Sequence, residues 1–586
     1  MKYELLSPID NNRTALETVL SNRGIPKNEM FHYLNTTDED INDWRLLGEE
    51  NIKCGIKAIL NTANEGKTSV FIVDCDIDGY TSSAILINYL YDLFPAYVEN
   101  NITLFFHSGK QHGLGDVPID ELPENTGLVL CPDSSSNDYD FHRKLKEKGV
   151  EVLVLDHHEA PRLSENAIVI NNQLSDYPNK MFSGAGVVWQ FCRAMDELLD
   201  VDFANKYIDL AACGLVGDMV SLTSIETKHV VSRGLEELRN PFFFALRQQN
   251  SYSIGPELTP DGCGWYLAPY VNAIVRSGTL EEKKLVFRAM LNSEAFKYIP
   301  STKRGHKEGE MEQLYVQAIR VVMSVKRRQG NAEEAGMALL EKLIEKDNML
   351  EEPVLIFTVD KSAIEPNIRG LAANKIQSKY QRPTIVTVEN QMKDGTPTYA
   401  GSARNYGRSV IKDFRGLLEK SGLVNYAQGH ANAFGTEFLV SDLPRLKEYF
   451  RAIYKDVPKE PTYYVDYIFN ANAIEGDKIL DIARHKKLWG QDFDEPLIAI
   501  ENVEVTARNV VIRSREKRPM LVINKGGIEI IKFGISEEEL DLFDNLKGSI
   551  ALTIIGNCGE NKWGGSITPQ VKITDYEIKK QQKYIF

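Results

Sequence analysis

The sequence predicts an α/β protein of several domains, and three observations support this class. Between residues 66 and 235, apolar strand-like runs alternate with amphipathic segments, which is typical of a mainly parallel sheet covered by helices. Residues 301–350 are richly charged with apolar positions at helical spacing, which indicates a helical connector. From about residue 460, short alternating strands are separated by turns such as Lys525-Gly526-Gly527, which favours a small β-barrel.

Composition is consistent with a soluble protein of several domains. The chain has 586 residues, too many for one core, with 43% hydrophobic and 26% charged residues. The net charge of −15 argues against non-specific coating of duplex nucleic acid, although a local basic groove stays compatible with it. Seven cysteines without a C-x-x-C pair favour free thiols in a reducing compartment and give no zinc-site spacing. No signal-like start and no run of eighteen apolar residues occurs, so we expect a cytoplasmic protein without a membrane span.

Five regions follow one another along the chain. Residues 1–65 are polar, with apolar positions at helical spacing, and predict a helical segment. The first α/β lobe is expected at 66–300, the helical connector at 301–350 and a smaller α/β lobe at 351–455. Residues 456–586 form the β-rich region, for which an OB-type barrel is the leading prediction.

Acidic and histidine residues stand where the strands of the first lobe are predicted to end. Four apolar runs each lead into such a group: Asp74-Cys75-Asp76, Asp133, Asp156-His157-His158, and Gly217-Asp218. At the carboxyl ends of parallel strands these side chains can converge in one crevice. Mixed oxygen and nitrogen ligands suit Mn, Mg, Fe or Zn, and several carboxylates suit a pair of ions. Taken singly, the Asp74-Cys75-Asp76 motif could be a solvated turn, and Asp156-His157-His158 could be a surface triplet or contain a pair of core histidines.

The four motifs, in this order, resemble those of the DHH phosphoesterase superfamily. The resemblance implies two divalent ions, with Mn²⁺ preferred or Mg²⁺, held by Asp74, Asp76, Asp133, His157 and Asp218. It also implies catalytic roles for His158, Asp78 and Asp156, the last as the partner that orients an imidazole. Two departures stand out. Cys75 replaces an aromatic residue and is expected to point away from the metals, and the loop after Pro132 lacks the family's glycine.

Four further elements resemble motifs of this superfamily: the first two resemble RecJ-type nucleases, the single-strand-specific DNA exonucleases among its members, and the last two resemble the DHH-associated domain. They are Ser183-Gly184-Ala185-Gly186, the Ala268–Arg276 stretch, Gly401-Ser402-Ala403-Arg404 and Gln428-Gly429-His430-Ala431. Arginine offers a planar fork for phosphate, and a glycine-rich helix start offers backbone amides. The substrate-binding residues implied are Ser183, Gly184, Asn272, Arg276, Ser402, Arg404, Gly429 and His430.

The β-rich region supplies candidates for contacts with a DNA strand, because OB-type barrels bind single strands with basic grooves and stacking aromatics. The candidates are Arg508, Arg513, Arg515, Lys517 and Trp563, with Phe533 as a second stacking platform. Each could as readily be a solvated charge or a core aromatic.

The resemblance as a whole implies a monomeric exonuclease that degrades single-stranded DNA from 5′ to 3′ and releases mononucleotides. A single-strand-binding protein or a helicase would be its partner. Two alternatives remain open at this point: a phosphodiesterase for short oligoribonucleotides or cyclic dinucleotides, and a non-catalytic DNA-replication or repair scaffold. The additional β-rich region argues against the first alternative, and the complete ligand set argues against the second.

Overall fold

The computed structural model describes residues 1–10, 12–109, 111–407, 409, 411–456, 462–514, 518–563 and 565–582. The chain divides into two compact units that are interleaved along the sequence. One comprises Arg23–Lys326 and His485–Glu495, and the other comprises Met1–Asn22, Arg327–Arg484 and Pro496–Phe586. In the described part of the chain, no helix is both long enough and apolar enough to cross a membrane.

The N-terminal region is mostly helical but starts with a strand. Its elements are β1 (Lys2–Leu5), α1 (Ala15–Asn22), α2 (Met30–Leu34) and α3 (Glu49–Asn64). Strand β1 pairs in parallel with a strand at Thr462–Val465, so the first residues belong with the C-terminal part of the chain. The predicted helical segment 1–65 is therefore shared between the two units.

The first lobe alternates strands and helices and then becomes wholly helical. Its elements are β2 (Thr68–Val73), α4 (Ile77–Leu93), α5 (Pro95–Asn101), β3 (Ile102–Phe106), β4 (Thr126–Pro132), α6 (Tyr139–Glu147), β5 (Glu151–Asp156), β6 (Ile168–Asn171), α7 (Gly184–Leu199), α8 (Ile208–Gly217), α9 (Ile225–Glu236), α10 (Pro241–Gln249), α11 (Ser251–Ile254), α12 (Pro260–Tyr266), α13 (Ala268–Ser277) and α14 (Leu280–Arg288).

The predicted parallel sheet is confirmed. Its strand order is β3-β2-β4-β5-β6, and every neighbouring pair is parallel. Alternate residues point to opposite faces, so Val70 and Ile72 pack with Leu145 of α6 on one face. Helices α3 and α7 cover the other face, and both faces of the sheet are therefore buried.

A connector follows, with a short hairpin before one long helix. The elements are β7 (Tyr298–Pro300), β8 (Met311–Gln313) and α15 (Leu314–Lys346). Helix α15 has 33 residues and passes from one unit into the other.

The second lobe is a smaller α/β domain. Its elements are β9 (Leu355–Val359), α16 (Pro366–Tyr380), β10 (Thr384–Gln391), β11 (Pro397–Arg404), α17 (Phe414–Lys420), β12 (Tyr426–His430), β13 (Ala433–Leu439) and α18 (Leu443–Ile453). The sheet order is β12-β13-β11-β10-β9, with a single parallel pair, β9 and β10. Separate apolar clusters bury the two faces of this sheet.

The C-terminal region is built on one large sheet. Its elements are β14 (Thr462–Val465), β15 (Tyr467–Asn470), α19 (Gly476–Ala483), β16 (Leu497–Thr506), β17 (Val510–Arg513), β18 (Met520–Lys525), β19 (Ile528–Phe533), α20 (Glu537–Asp544), β20 (Ser549–Trp563) and β21 (Ser566–Gln582). Seven strands pair in the order β15-β16-β20-β21-β19-β18-β17. Among the described residues the two edge strands, β15 and β17, do not pair with each other, so the expected closure into a barrel is not observed there.

Candidate metal centre

The strand order of the first lobe creates a crevice at the carboxyl ends of two neighbouring strands. From β2 the chain passes to β3 on one side and then crosses to β4 on the other side. Such a switch point is where open α/β sheets bind ligands. Asp74 follows the last residue of β2, Asp133 follows the last residue of β4, and Asp156 ends the next strand, β5. The fold therefore brings three of the predicted acidic residues to one edge of the sheet.

Three carboxylates form the first group of candidate metal ligands. Asp74, Asp76 and Asp133 each offer an oxygen, and these atoms lie within 4.8 Å of one another. Asp76 also caps helix α4, because its Oδ1 accepts a hydrogen bond of 3.0 Å from the Gly79 amide. The cap holds one oxygen of Asp76 while the carboxylate faces its two acidic neighbours.

A second group contains Asp78, His157 and Asp218. The Nε2 atom of His157 lies 3.8 Å from Oδ2 of Asp218 and 3.9 Å from Oδ2 of Asp78. The same nitrogen lies 3.2 Å from Oδ1 of Asp133, which belongs to the first group. The two groups are therefore adjacent, and His157 and Asp133 lie where they meet. This arrangement is suited to two neighbouring cations that share ligands.

The prediction that Asp218 ends a strand is wrong. The apolar run before it forms helix α8, and Asp218 lies at the C-terminal end of that helix. Helix α8 is buried over nearly its whole length among α4, α7 and α9. A helix buried on all sides needs apolar residues all round, and in a short segment that pattern resembles a buried strand. The Asp218 carboxylate nevertheless reaches the predicted site.

The electrostatics of the centre favour a bound cation. Burial and the charges of Asp74 and Asp78 raise the pKa of Asp76 to about 6. Burial and the charges of Asp78 and Asp76 raise the pKa of Asp218 to about 8, and similar causes hold the pKa of Asp133 well above its usual range. Among the described residues, Oδ1 of Asp133 is buried and has no hydrogen-bond partner. These residues fit a divalent metal ion, whose charge would offset the crowded carboxylates.

The predicted phosphate-binding helix start has a different role in the structure. The Ser183 hydroxyl donates to Oδ1 of Asp78 at 2.9 Å, the Gly184 amide donates to Oδ2 at 2.8 Å, and the Ala185 amide donates to Oδ1 at 3.1 Å. Ser183 and Gly184 are both buried. The donors expected to receive a substrate phosphate therefore bind the carboxylate of Asp78. The correction has a simple cause, since amides at a helix start bind any nearby anion.

Gly184 also brings the helix close to Asp133. A Cβ atom at this position would lie 2.3 Å from Oδ1 of Asp133, which is far inside ordinary contact distance. Helix α7 can approach the carboxylate this closely only because residue 184 has no side chain. We call the Ser183-Gly184-Ala185 helix start the carboxylate cradle.

Asp156 positions the histidine pair. Its Oδ1 accepts hydrogen bonds from the His157 amide at 2.7 Å and the His158 amide at 3.2 Å, and it lies 2.7 Å from Nδ1 of His158. Although burial opposes it, the bond to Asp156 raises the pKa of His158 to about 9, whereas burial lowers the pKa of His157. His157 is therefore suited to act as a neutral metal ligand. His158 uses Nδ1 on Asp156, so Nε2 is the nitrogen that can reach a substrate oxygen.

The loop after β4 adopts a backbone conformation that glycine normally provides. Asp133 has φ of 67° and Ser135 has φ of 81°, both in the left-handed region. The Asp133 amide donates to the carbonyl oxygen of Leu155 at 2.7 Å, which fixes the loop against β5. Left-handed residues that are not glycine cost roughly 1–2 kcal/mol each. The loop therefore keeps the geometry that a glycine would give, at a cost in backbone strain.

His112 is a site residue that the sequence analysis missed. Its Nδ1 lies 2.7 Å from Oδ2 of Asp74, and Sγ of Cys75 lies 3.4 Å from its Nε2. The hydrogen bond to Asp74 and the contact with Cys75 raise the pKa of His112 to about 11. Cys75 lies beyond the end of β2, and its Sγ is within 4.8 Å of the candidate ligand atoms of Asp74 and His112, so its orientation relative to the metals stays a prediction. His112 follows strand β3 by six residues, and a strand-end rule extended to that loop would have found it.

The Ala268–Arg276 stretch forms most of α13. Asn272 accepts a hydrogen bond of 3.2 Å from the Ile77 amide, next to Asp76, and so holds the start of α4. Arg276 is half-buried near the end of the same helix. Asn272 therefore supports the metal loop in this structure, and substrate contact by either residue stays a prediction.

Three predicted substrate-binding residues of the second lobe share one face of its sheet. His430 of β12 and Arg404 of β11 each lie opposite Ala433 of β13, the strand between them. Ser402 lies two residues before Arg404 on β11. Directly opposed residues of antiparallel strands point to the same face, as do residues two apart on one strand. His430 is exposed and Arg404 is half-buried. Gly429 is exposed with φ of 129°, a conformation that favours glycine.

The predicted DNA contacts of the C-terminal region are only partly described. Arg508 and Arg513 are exposed, and Arg513 lies 3.8 Å from a carboxylate oxygen of Glu529. Phe533 is exposed on β19. Arg515, Lys517 and the side chain of Trp563 lie outside the described residues.

Comparison with known proteins agrees with this architecture. The model of the DHH family, N-terminal domain, matches residues 69–215, and the model of the RecJ OB domain matches residues 465–575. YorK of Bacillus subtilis strain 168, described provisionally as an SPbeta prophage-derived single-strand DNA-specific exonuclease, is 31% identical over 100% of both chains. The single-stranded-DNA-specific exonuclease RecJ of the same organism is 23% identical over 94% of this chain and 66% of its own length.

Two crystal structures share the fold. RecJ from Thermus thermophilus in complex with Mn²⁺ is similar with a TM-score of 0.68 and 20% identity, covering 97% of this chain and 76% of that chain. The same protein in complex with Mg²⁺ is similar with a TM-score of 0.64 and 18% identity, covering 100% and 79%. At these identities the likeness establishes the fold.

Proposed function

Because the chain belongs to the RecJ-like family of DHH-type single-strand-specific exonucleases, we propose that it hydrolyses phosphodiester bonds of single-stranded DNA with divalent metal ions. The observation that carries the proposal is the pair of adjacent ligand groups, Asp74, Asp76 and Asp133 beside Asp78, His157 and Asp218. The carboxylates of Asp74, Asp78 and Asp133 are buried, and those of Asp76 and Asp218 are partly exposed. Among the described residues, the buried Oδ1 of Asp133 has no hydrogen-bond partner.

The residues of the site suit phosphodiester hydrolysis. When bound, two divalent cations would clamp the attacking and leaving oxygens and make hydroxide available near neutral pH. Asp133 and His157 would be shared or neighbouring ligands, since Oδ1 and Nε2 are 3.2 Å apart. His158, charged and oriented by Asp156, would contact a non-bridging phosphate oxygen through Nε2. Mn²⁺ suits the mixed carboxylate and imidazole ligands best, with Mg²⁺ as the substitute.

The second lobe supports binding of a strand rather than a small molecule. Ser402, Arg404 and His430 share one sheet face, where a guanidinium, a hydroxyl and an imidazole could hold one phosphate or neighbouring phosphates. The C-terminal OB-type region, with exposed Arg508, Arg513 and Phe533, suits a longer strand. These features favour DNA strands over dinucleotides as the substrate.

The direction and the products are further parts of the proposal. We expect digestion from 5′ to 3′ with release of mononucleotides, in keeping with the resemblance to RecJ-type nucleases. A helicase or a single-strand-binding protein is the expected partner, because the substrate must first be unpaired and kept unpaired. We expect the active form to be a monomer, since one chain carries the whole ligand set.

The test is degradation of a long single-stranded oligonucleotide by the metal-free protein supplemented with Mn²⁺. One strand carries a label at the 5′ end and a second strand carries it at the 3′ end. The proposal expects immediate release of the 5′ label as a mononucleotide and stepwise shortening of the 3′-labelled strand. Cleavage of a dinucleotide control without degradation of the long strand would instead assign the protein to the small-substrate phosphodiesterases.

A folded, inactive variant completes the test. His157→Ala removes the neutral ligand next to Asp133 and should abolish turnover while the thermal unfolding temperature of the metal-free protein changes little. Near-normal activity of this variant would refute the metal assignment. Absence of Mn²⁺ binding by the wild-type chain would favour a non-catalytic scaffold.

A further inference from the structure

A third cluster of possible metal ligands lies beside the proposed catalytic groups. Asp74, Cys75 and His112 each offer a ligand atom, and these atoms lie within 4.8 Å of one another. The Sγ atom of Cys75 is 3.5 Å from Nδ1 and 3.4 Å from Nε2 of His112, and Nδ1 of His112 is 2.7 Å from Oδ2 of Asp74. Unlike the two catalytic groups, this cluster contains a sulfur ligand.

The spacing of the sulfur and nitrogen atoms matches that of zinc ligands. Zinc binds sulfur at about 2.3 Å and nitrogen at about 2.0–2.1 Å, so tetrahedral angles separate the two donors by roughly 3.5 Å. The distances between Cys75 and His112 are 3.4 and 3.5 Å. Two nitrogen or oxygen donors would be roughly 3.3 Å apart on the same ion, so the 2.7 Å hydrogen bond between His112 and Asp74 would open slightly.

The cluster is accessible and has the chemistry of a soft cation site. The His112 side chain is exposed and Cys75 is only partly buried, so an ion can enter from solvent. Lys283 carries a charge near Cys75, but its Nζ donates to the carbonyl oxygens of His107 and Ser108 at 3.0 and 3.2 Å. Thiolate and imidazole together select Zn²⁺ over Mn²⁺ and Mg²⁺, which prefer oxygen-rich sites.

We propose that Asp74, Cys75 and His112 form an inhibitory Zn²⁺ site next to the catalytic centre. Zn²⁺ held by Cys75 and His112 would take an oxygen of Asp74, which also belongs to the group with Asp76 and Asp133. The catalytic centre would then lose one of its carboxylates. Binding at this site stands independently, whereas the inhibitory effect rests on the proposed nuclease function.

The first experiment measures the site without activity. Co²⁺, which takes the place of Zn²⁺ and has visible spectra, is titrated into the metal-free full-length protein. Coordination by Cys75 deprotonates the thiol and should give a thiolate-to-cobalt charge-transfer band. We expect this band in the wild type and in the control variant Cys54→Ser, which removes an exposed thiol on α3, but not in Cys75→Ser. A wild type without the band, or Cys75→Ser with an unchanged band, overturns the proposed site.

The second experiment measures inhibition. Zn²⁺ is titrated into the Mn²⁺-supported digestion of single-stranded DNA by the wild type, Cys75→Ser and Cys54→Ser. Cys75→Ser should keep the Mn²⁺-supported rate and need at least about tenfold more Zn²⁺ for half-inhibition, since lost metal partners typically cost 10–100-fold in affinity. Equal inhibition of all three proteins would show that Zn²⁺ acts only by replacing the catalytic ions. A protein inactive under every condition refutes the nuclease function, and the cobalt band still decides the site.

Discussion

Adding a single methyl group to the carboxylate cradle, at Gly184, should displace the carboxylate of Asp133 and reduce activity. In Gly184→Ala, the new Cβ would lie 2.3 Å from Oδ1, 2.6 Å from Cβ and 2.7 Å from Cγ of Asp133. Gly184 is the first residue of α7 and does not have a positive φ, so alanine is compatible with the backbone of the helix start. Any loss of function must therefore come from the contact with Asp133.

The size of the effect follows from how far the carboxylate must move. The Oδ1 atom has to retreat about 1.1 Å to reach the 3.4 Å at which ordinary contacts begin. The backbone of Asp133 cannot easily follow, because it is held at φ of 67° and its amide donates to Leu155. Metal-ligand distances tolerate deviations of only about 0.2 Å. A misplacement of about 1 Å costs on the order of 100-fold in rate, which is the expected loss in kcat/KM on single-stranded DNA.

Gly186→Ala is the matched control, because it changes the same helix and also creates a clash. Its Cβ would lie 2.6 Å from Cε1 of Phe182, a core contact rather than a site carboxylate. Both variants are compared for kcat/KM and for the rise in thermal unfolding temperature on addition of Mn²⁺. Gly184→Ala should lose both, whereas Gly186→Ala should be less stable but keep its activity per folded molecule. If Gly184→Ala keeps activity of the same order as the wild type, the argument from the cradle is refuted.

Three other predictions concern strain, protons and substrate. Ser135→Gly should stabilise the protein by about 0.5–1 kcal/mol in chemical denaturation, because φ of 81° suits glycine. Destabilisation would contradict the strain argument. The pKa values of Asp76 and Asp218 are raised to about 6 and about 8 in the folded metal-free protein. Between about pH 4 and about pH 8 the folded protein therefore binds more protons than the unfolded chain, and its free energy of unfolding should fall as pH rises. Mn²⁺ should then raise the unfolding temperature more at pH 8 than at pH 6. Asp218→Asn should stabilise the metal-free protein and reduce the increase in unfolding temperature that Mn²⁺ causes. An increase that does not depend on pH would exclude these carboxylates as ligands. Arg404→Lys should raise KM for DNA by roughly tenfold with little change in kcat, because lysine lacks the planar guanidinium that binds a phosphate with two hydrogen bonds. A loss confined to kcat would instead indicate that Arg404 acts in the catalytic step.

The positions of the acidic residues in the first lobe could be predicted because the ends of its strands can be recognised in the sequence. A short apolar run followed by Asp, as at Val73-Asp74 and Pro132-Asp133, combines a buried element with a residue that cannot be buried unpaired. The same reasoning misassigned the run before Asp218. Helix α8 is apolar on all sides, and a buried helix and a buried strand cannot be told apart from seven apolar residues.

Contacts between segments that are distant in sequence explain the other differences between the predictions and the structure. Ser183 and Gly184 were correctly placed at a helix start, but a carboxylate and a phosphate satisfy the same amides, and sequence does not say which arrives. His112 lies in a loop with no periodicity, and only the fold brings it to Asp74. Closure of a C-terminal barrel likewise depends on whether the two edge strands pair with each other. The alternation of apolar and polar residues within one strand does not indicate which strand it pairs with.

The interleaving of the two units has a consequence for how the protein is made. The first 22 residues precede the unit with the metal centre in the sequence, yet their own unit is completed by strands that follow it, as when β1 pairs with β14. The unit with the metal centre also awaits a late segment, since the Leu222 amide donates to the carbonyl of Gln491 at 3.0 Å. Domains that are contiguous in sequence can fold as soon as each has been made, whereas neither of these units is complete before residue 495 has been added. The unit with the metal centre should therefore be completed long after its own ligand residues have been made, and the unit with the second lobe should be completed after it.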